Sequence, residues 1–318
     1  MLVHFFGFLF FLGCFLLGMF WLRTGLFNIA NEKMKNLLYL VTNHPFKGFL
    51  IGMIITAVLH SSSAVMVLTV GLVSTRLITF KQTIGIMLGS NIGTTFTLEM
   101  FTLNLNYFSI PALIIGALFI LLKNSSLKSI GYIFIGFGLI FISIDRIQSL
   151  AAPLTKSTYF QEGLLNVNEH IVLALLIGIV STAIIQSSTV VTGVAMGFLA
   201  VHAISLEAGI AIMLGANIGT CITAYLASVG GGKEAKLTAY AHIWLNLIGV
   251  AAFIPFISKL GMIVSKLAAS PDLQLAHASV IFNLICSLAA LPFAEPFSKF
   301  IEHFHKKSGS GSFSSRRK

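Results

Sequence analysis

The chain has 318 residues, of which 56% are hydrophobic and only 9% charged, whereas a soluble domain carries about 25% charged residues. That composition excludes an ordinary soluble domain. The net charge of +10 does not signal nucleic acid, because the basic residues lie in short loops between apolar runs and in the tail, where a cytoplasmic bias places them.

Taken in chain order, the first apolar run is Met1 to Leu22. It lacks the basic start and small-x-small cleavage site of a signal peptide, so it reads as a membrane crossing over 3–22. Next, "VLHSSSAVM" (Val58 to Met66) puts three serines inside an apolar stretch. Residues 48–73 are either one membrane helix carrying hydroxyls or two half-helices, 46–60 and 63–74, of a re-entrant hairpin. Each half, about 20 Å long at 1.5 Å per residue, is too short to span. Crossings follow at about 80–98 and 107–122, then at 130–148. After a loop at 145–169 comes a second serine segment, "GIVSTAIIQSSTVV" from Gly178. Further crossings are expected at 206–228, 237–257 and 271–297. Cys14, Cys221 and Cys286 all lie inside apolar runs and form neither a disulfide frame nor a metal site. The tail "HKKSGSGSFSSRRK" (His305 to Lys318) is Ser/Gly-rich and basic, suited to disorder and to contact with anionic lipid.

The chain repeats itself. Residues 52–97 and 178–223 align without a gap, with 18 identities in 46 positions. Ser61/Ser187, Ser62/Ser188, Asn91/Asn217 and Thr94/Thr220 recur at that one offset. The reading divides the chain into a first transmembrane repeat (1–123), a second (124–257), a closing segment (258–300) and a flexible basic cytoplasmic tail (301–318). If both serine segments are hairpins, 16 Lys/Arg fall on one side and 4 on the other; if both cross, the split is 14 against 6. The hairpin reading fits the positive-inside rule better. Each copy then has three crossings, so the second is upside down and the two serine tips meet near the midplane. The expected fold is therefore an all-α polytopic membrane protein of two inverted repeats, each with a re-entrant hairpin and a broken helix, the breaks falling at "GSNIGTT" (Gly89 to Thr95) and "GANIGTC" (Gly215 to Cys221).

A helix starting near Ser63 offers unpaired backbone N–H groups and the positive end of its dipole. The tip "QSST" (Gln186 to Thr189) does the same. Two such ends facing each other suit a tetrahedral oxyanion, and their hydroxyl and carbonyl oxygens suit a small cation. Candidate oxyanion contacts are therefore Ser61, Ser62, Ser63, Ser187, Ser188 and Thr189.

At these residues the chain resembles the type II sodium/phosphate cotransporter family, whose mark is a duplicated "QSSS" hairpin followed by a G-x-N-I-G-T run. Here they stand as "HSSS" (His60 to Ser63), "QSST", "GSNIGT" (Gly89 to Thr94) and "GANIGT" (Gly215 to Thr220). The resemblance covers residues 5–297. It implies inward phosphate transport driven by sodium, with phosphate on Ser61, Ser62, Ser187 and Ser188. It places sodium at Gln186, Ser187, Thr189, Asn217 and Thr220, with Asn91 and Thr94 as counterparts. His60 stands where the family has its first glutamine, which makes it a further candidate ion ligand and, being titratable, a source of pH response.

His242 and Asn246, four apart on one helical face, and Asn283 are intramembrane polar groups, expected to support the site through hydrogen bonds. Glu99 is expected at a solvated helix end. The expected partners are inorganic phosphate, sodium and the lipid bilayer of the cell membrane, with a homodimer left open, the C-terminus cytoplasmic, and no cofactor and no nucleic acid. The alternatives are a proton-coupled or other-oxyanion carrier and, more distantly, an intramembrane serine hydrolase. Hydrolysis fits poorly, since His60 adjoins Ser61 and the second tip has a glutamine.

Overall fold

The computed structural model describes residues 2–39, 44–155 and 157–306. Among them the chain is helical throughout. The first half comprises α1 (Leu2–Tyr39), α2 (Pro45–Leu59), α3 (Ser62–Ser74), α4 (Phe80–Phe101) and α5 (Asn106–Leu121). The second comprises α6 (Ser125–Leu154), α7 (Thr158–Glu169), α8 (Ile171–Ile185), α9 (Ser188–Ala200), α10 (Leu206–Gly219), α11 (Cys221–Ser228) and α12 (Lys233–Phe253). Then come α13 (Ile257–Leu267), α14 (Pro271–Ala290) and α15 (Ala294–Lys306). Among the described residues, five helical stretches are long and apolar enough to cross a membrane, and up to seven if each of two bent pairs is one span. The chain is thus a multi-pass membrane protein.

Helix starts are set by local chemistry. Pro45 opens α2 behind His44, whose Nδ1 accepts from Phe46 N. Asn124 Oδ1 accepts from Ser126 N and Leu127 N to begin α6. The Thr79 N–H donates to Gln82 Oε1 at 2.7 Å at the head of α4. Each device satisfies backbone donors that a helix end leaves bare.

The repeat is visible in the backbone. α8, α9 and α10 begin 126 residues after α2, α3 and α4, at Ile171, Ser188 and Leu206 against Pro45, Ser62 and Phe80. The non-glycine residues with positive φ pair at the same spacing, His60 with Gln186 and Arg76 with His202. Equivalent helices also pack through equivalent glycines. A Cβ on Gly89 would lie 1.8 Å from Phe49 O, and one on Gly215 would lie 2.0 Å from Leu175 O. Gly52 and Gly178 press likewise on Ile86 O and Ile212 O. With no hydrophobic drive between helices in lipid, such close backbone approach is how they associate. α1 and α6, the first helices of the two halves, pack on each other through Gly18 and Gly136.

Several expectations change. The "GSNIGTT" run does not break α4, which is continuous to Phe101. Its glycines seat α4 on α2. Only the second copy is interrupted, at Thr220 between α10 and α11. The crossing expected to end at residue 22 continues to Tyr39, with an apolar span from Leu2 to Ala30. The expected loop at 145–169 is the end of α6 and the polar helix α7. The stretch between the crossings expected at 237–257 and 271–297 is α13, whose Ile257, Leu260 and Val264 form one buried face. Of the expected tail, Ile301 to Lys306 completes α15, and 307–318 lies outside the described residues. α5 leaves α4 at 105°.

Candidate functional site

α2 and α3 are 15 and 13 residues long, about 22 and 20 Å, short of a bilayer's hydrocarbon core. They are separated by His60, in the left-handed region at φ 50°, and by Ser61 in extended backbone. α8 and α9 repeat this with Gln186 at φ 59° and Ser187 extended. Neither His60 nor Gln186 is a glycine, so both bends hold a conformation that L-residues adopt at a cost.

The two tips touch. Ser63 Oγ donates to the carbonyl of Gln186 at 3.4 Å. Within the first tip, Ser61 Oγ caps α3 by accepting from Ala64 N at 3.2 Å. The second tip is wired differently. Ser187 Oγ makes no cap bond and lies 3.0 Å from Thr189 Oγ1. Ser62 and Ser188 open the two downstream helices, and a bound anion is the natural acceptor for a hydroxyl at such a helix start.

A residue of α1 joins the tips. The half-buried Arg23 donates from Nε to His60 O at 3.0 Å, and from Nη2 to Ser187 Oγ at 3.1 Å and Thr189 Oγ1 at 3.0 Å. It has no carboxylate partner among the described residues. Beside it lies a cavity of about 400 Å³ whose lining includes Arg23, Ser61, Gln186 and Ser187. One serine of each tip, Ser61 and Ser187, and one guanidinium thus converge on one space, where N–H and O–H donors can hold an oxyanion, whereas Ser62, Ser63, Ser188 and Thr189 do not line that cavity.

The other candidates fall elsewhere. His60 Nδ1 lies 3.0 Å from Thr97 Oγ1 of α4. Thr94 Oγ1 donates to Ser90 O, and Thr220 Oγ1 to Ala216 O and Asn217 O. Asn217 Nδ2 donates to Met213 O. These three side chains bond back along their own helices. Asn91, Asn246 and Asn283 gather around a separate cavity of about 300 Å³, where Asn91 Nδ2 donates to Asn246 Oδ1 at 3.3 Å. Asn246 Nδ2 donates to His242 O, and the buried His242 Nδ1 has no partner among the described residues. Glu99, expected at a solvated end, instead pairs with His277 Nδ1 at 2.8 Å. Arg23 went unnoticed in the sequence because it follows 22 residues of nearly unbroken apolar run and reads as the start of a loop. The signal was the equally apolar "GLFNIA" after it.

Similarity to known proteins agrees with this architecture. The family model described as Na+/Pi-cotransporter matches residues 14–149 and 154–276. The chain is 43% identical over 287 residues to YqeW of Bacillus subtilis (strain 168), an uncharacterized protein, covering 90% of this chain and 94% of that one. It is 26% identical over 279 residues to YjbB of Escherichia coli (strain K12), a protein named for inorganic phosphate export, covering 87% of this chain and 51% of YjbB. A shorter match, 30% over 121 residues, covers 36% of this chain and 19% of the sodium-dependent phosphate transport protein 2A of Oryctolagus cuniculus. No solved structure matches the chain significantly.

Proposed function

Because the chain belongs to the Na+/Pi-cotransporter family, we propose that it is a secondary carrier of inorganic phosphate, and not an enzyme. In this reading phosphate binds between the two serine tips, and residues 1–123 and 124–257 act as inverted repeats that open the site alternately to either side. Sodium is the coupling ion, drawn to hydroxyl and carbonyl oxygens at and around the tips. The observation that carries the reading is the meeting of both tips at one cavity, through Ser63 and Gln186 and through Arg23. A structural bundle has no need of two matched polar bends brought together inside the apolar span.

Net direction follows the gradients. The name of YjbB points to export, and that of the rabbit relative to sodium-dependent transport. A second reading, proton coupling, draws on His60 in the first tip and on the His277–Glu99 pair. Proteoliposomes loaded or bathed with labelled phosphate decide between them. Flux driven by a Na+ gradient, and not by K+ or by a pH gradient, supports sodium coupling. Flux driven by the pH gradient alone supports the second reading. Absence of phosphate flux under every gradient overturns both.

A further inference from the structure

Arg23 sits in the first apolar span without a carboxylate partner among the described residues. A charged side chain at membrane depth is costly, and its position marks a substrate or ion pathway. The three oxygens that receive its protons are a helix-end carbonyl, His60 O, and two hydroxyls, Ser187 Oγ and Thr189 Oγ1. Neutral oxygens of this kind, freed at a helix break, are the ligands a membrane carrier offers to Na+. A guanidinium and a sodium ion cannot both hold them. Nε has one proton and Nη2 has two, so all three are committed to this cage. Nη1 keeps two donors for a further acceptor beside the cavity.

The cage also straddles the repeat. His60 O belongs to the first tip, and the two hydroxyls belong to the second. Nothing sequence-equivalent to Arg23 serves from α6: "LGCFLLGMFWL" from Leu12 resembles "IGFGLIFISID" from Ile135, the two lead to Arg23 and Arg146, and the Arg146 side chain is exposed beside Asp145, eight residues before the end of α6. The positive charge at the tips is therefore one-sided and covalently fixed.

We propose that Arg23 is a built-in cation of the substrate site. It takes the oxygens of the second tip that a sodium ion would otherwise use, and it faces the bound anion with its remaining donors. Phosphate binding then needs no sodium ion at that position. This rests on the phosphate reading only for the identity of the anion. The cation assignment stands on the cage itself.

The test compares purified wild type, Arg23→Lys, which keeps the charge, and Arg23→Gln, which removes it. Melting temperature is measured in NaCl and in choline chloride, without phosphate. Sodium bound elsewhere acts on all three proteins alike and cancels in the comparison. The expected result is a larger sodium-dependent rise in melting temperature for Arg23→Gln than for wild type or Arg23→Lys, because the vacated cage binds Na+. An equal rise in all three overturns the proposal. Labelled phosphate binding is measured in the same two salts. The ratio of affinity in NaCl to affinity in choline should be about tenfold larger for Arg23→Gln than for wild type, because sodium bound elsewhere contributes to both and only the vacated cage adds to the variant. Should Arg23→Gln not fold, Thr189→Val decides: with Arg23 in place its sodium-dependent rise in melting temperature should match that of wild type, and a smaller rise overturns the proposal, because Na+ and not Arg23 would then be using that oxygen. If no protein binds phosphate but the sodium response appears in Arg23→Gln alone, the cation assignment stands and the phosphate reading falls.

Discussion

Ser63 and Gln186, 123 residues apart in the chain, are joined by a hydrogen bond of 3.4 Å from the serine hydroxyl to the glutamine carbonyl. Each stands at the bend of a different half, so this contact joins the two halves at the site. A cysteine pair at these positions, in a protein freed of Cys14, Cys221 and Cys286, should cross-link under mild oxidation. Cross-linking should arrest phosphate flux, and reduction should restore it. Gel mobility after cleavage between the halves reads the bond, and flux reads its consequence. Free flux in the cross-linked protein would mean the tips do not separate during transport.

The glycines of the two G-x-N-I-G-T runs are close-packing positions. Gly89→Val should lower the melting temperature markedly or abolish folding, since its Cβ would enter Phe49 O at 1.8 Å. Gly71, in α3, meets nothing within 4 Å, so Gly71→Ala should be stabilising by about 0.5–1 kcal/mol from helix propensity alone. Thermal unfolding of both variants in one detergent checks the contrast.

The same helix pair explains a buried orphan. Thr56 Oγ1 donates to Ser90 Oγ at 2.8 Å. In the second copy Ala216 replaces that serine, and Thr182 Oγ1 is left buried without a partner among the described residues. Thr182→Val should therefore be neutral or stabilising. Ser90→Ala should cost about 1–3 kcal/mol, because it recreates the orphan at Thr56. Paired denaturation curves test the two signs.

His60 and Gln186 hold the same left-handed bend, and His60 reaches Thr97 Oγ1. His60→Gln should keep phosphate flux within about threefold, since an amide can donate as the imidazole does. His60→Ala should lose more, and Thr97→Val should resemble it. Initial flux rates in proteoliposomes give the ranking, and equal loss in His60→Gln and His60→Ala would show that the imidazole itself is required.

Much of this fold was legible because membrane helices advertise themselves by length and apolarity. The duplicated serines advertised the tips because hydroxyls at one common offset are not an apolar accident. Two things were not legible. The runs around Asn91 and Asn217 contain glycines that look like breaks, and only the contacts at Phe49 O and Leu175 O reveal them as packing surfaces. Arg23 looked like a loop residue, because a local charge marks the end of a span unless something distant neutralises or uses it. Its partners lie 37, 164 and 166 residues away, beyond any local pattern.

Ser62 and Ser188 are the cleanest probes of the site. Ser62 and Ser188 are matched across the repeat, and removing a helix-start hydroxyl that caps no backbone group leaves the bends standing. Initial rates of labelled phosphate flux should be measured for wild type, Ser62→Ala, Ser188→Ala and the double variant, at equal amounts of folded protein in the vesicles. The account predicts a fall of at least about tenfold in each single variant and no measurable flux in the double. Wild-type flux in the double variant would contradict the claim that phosphate is held between the tips.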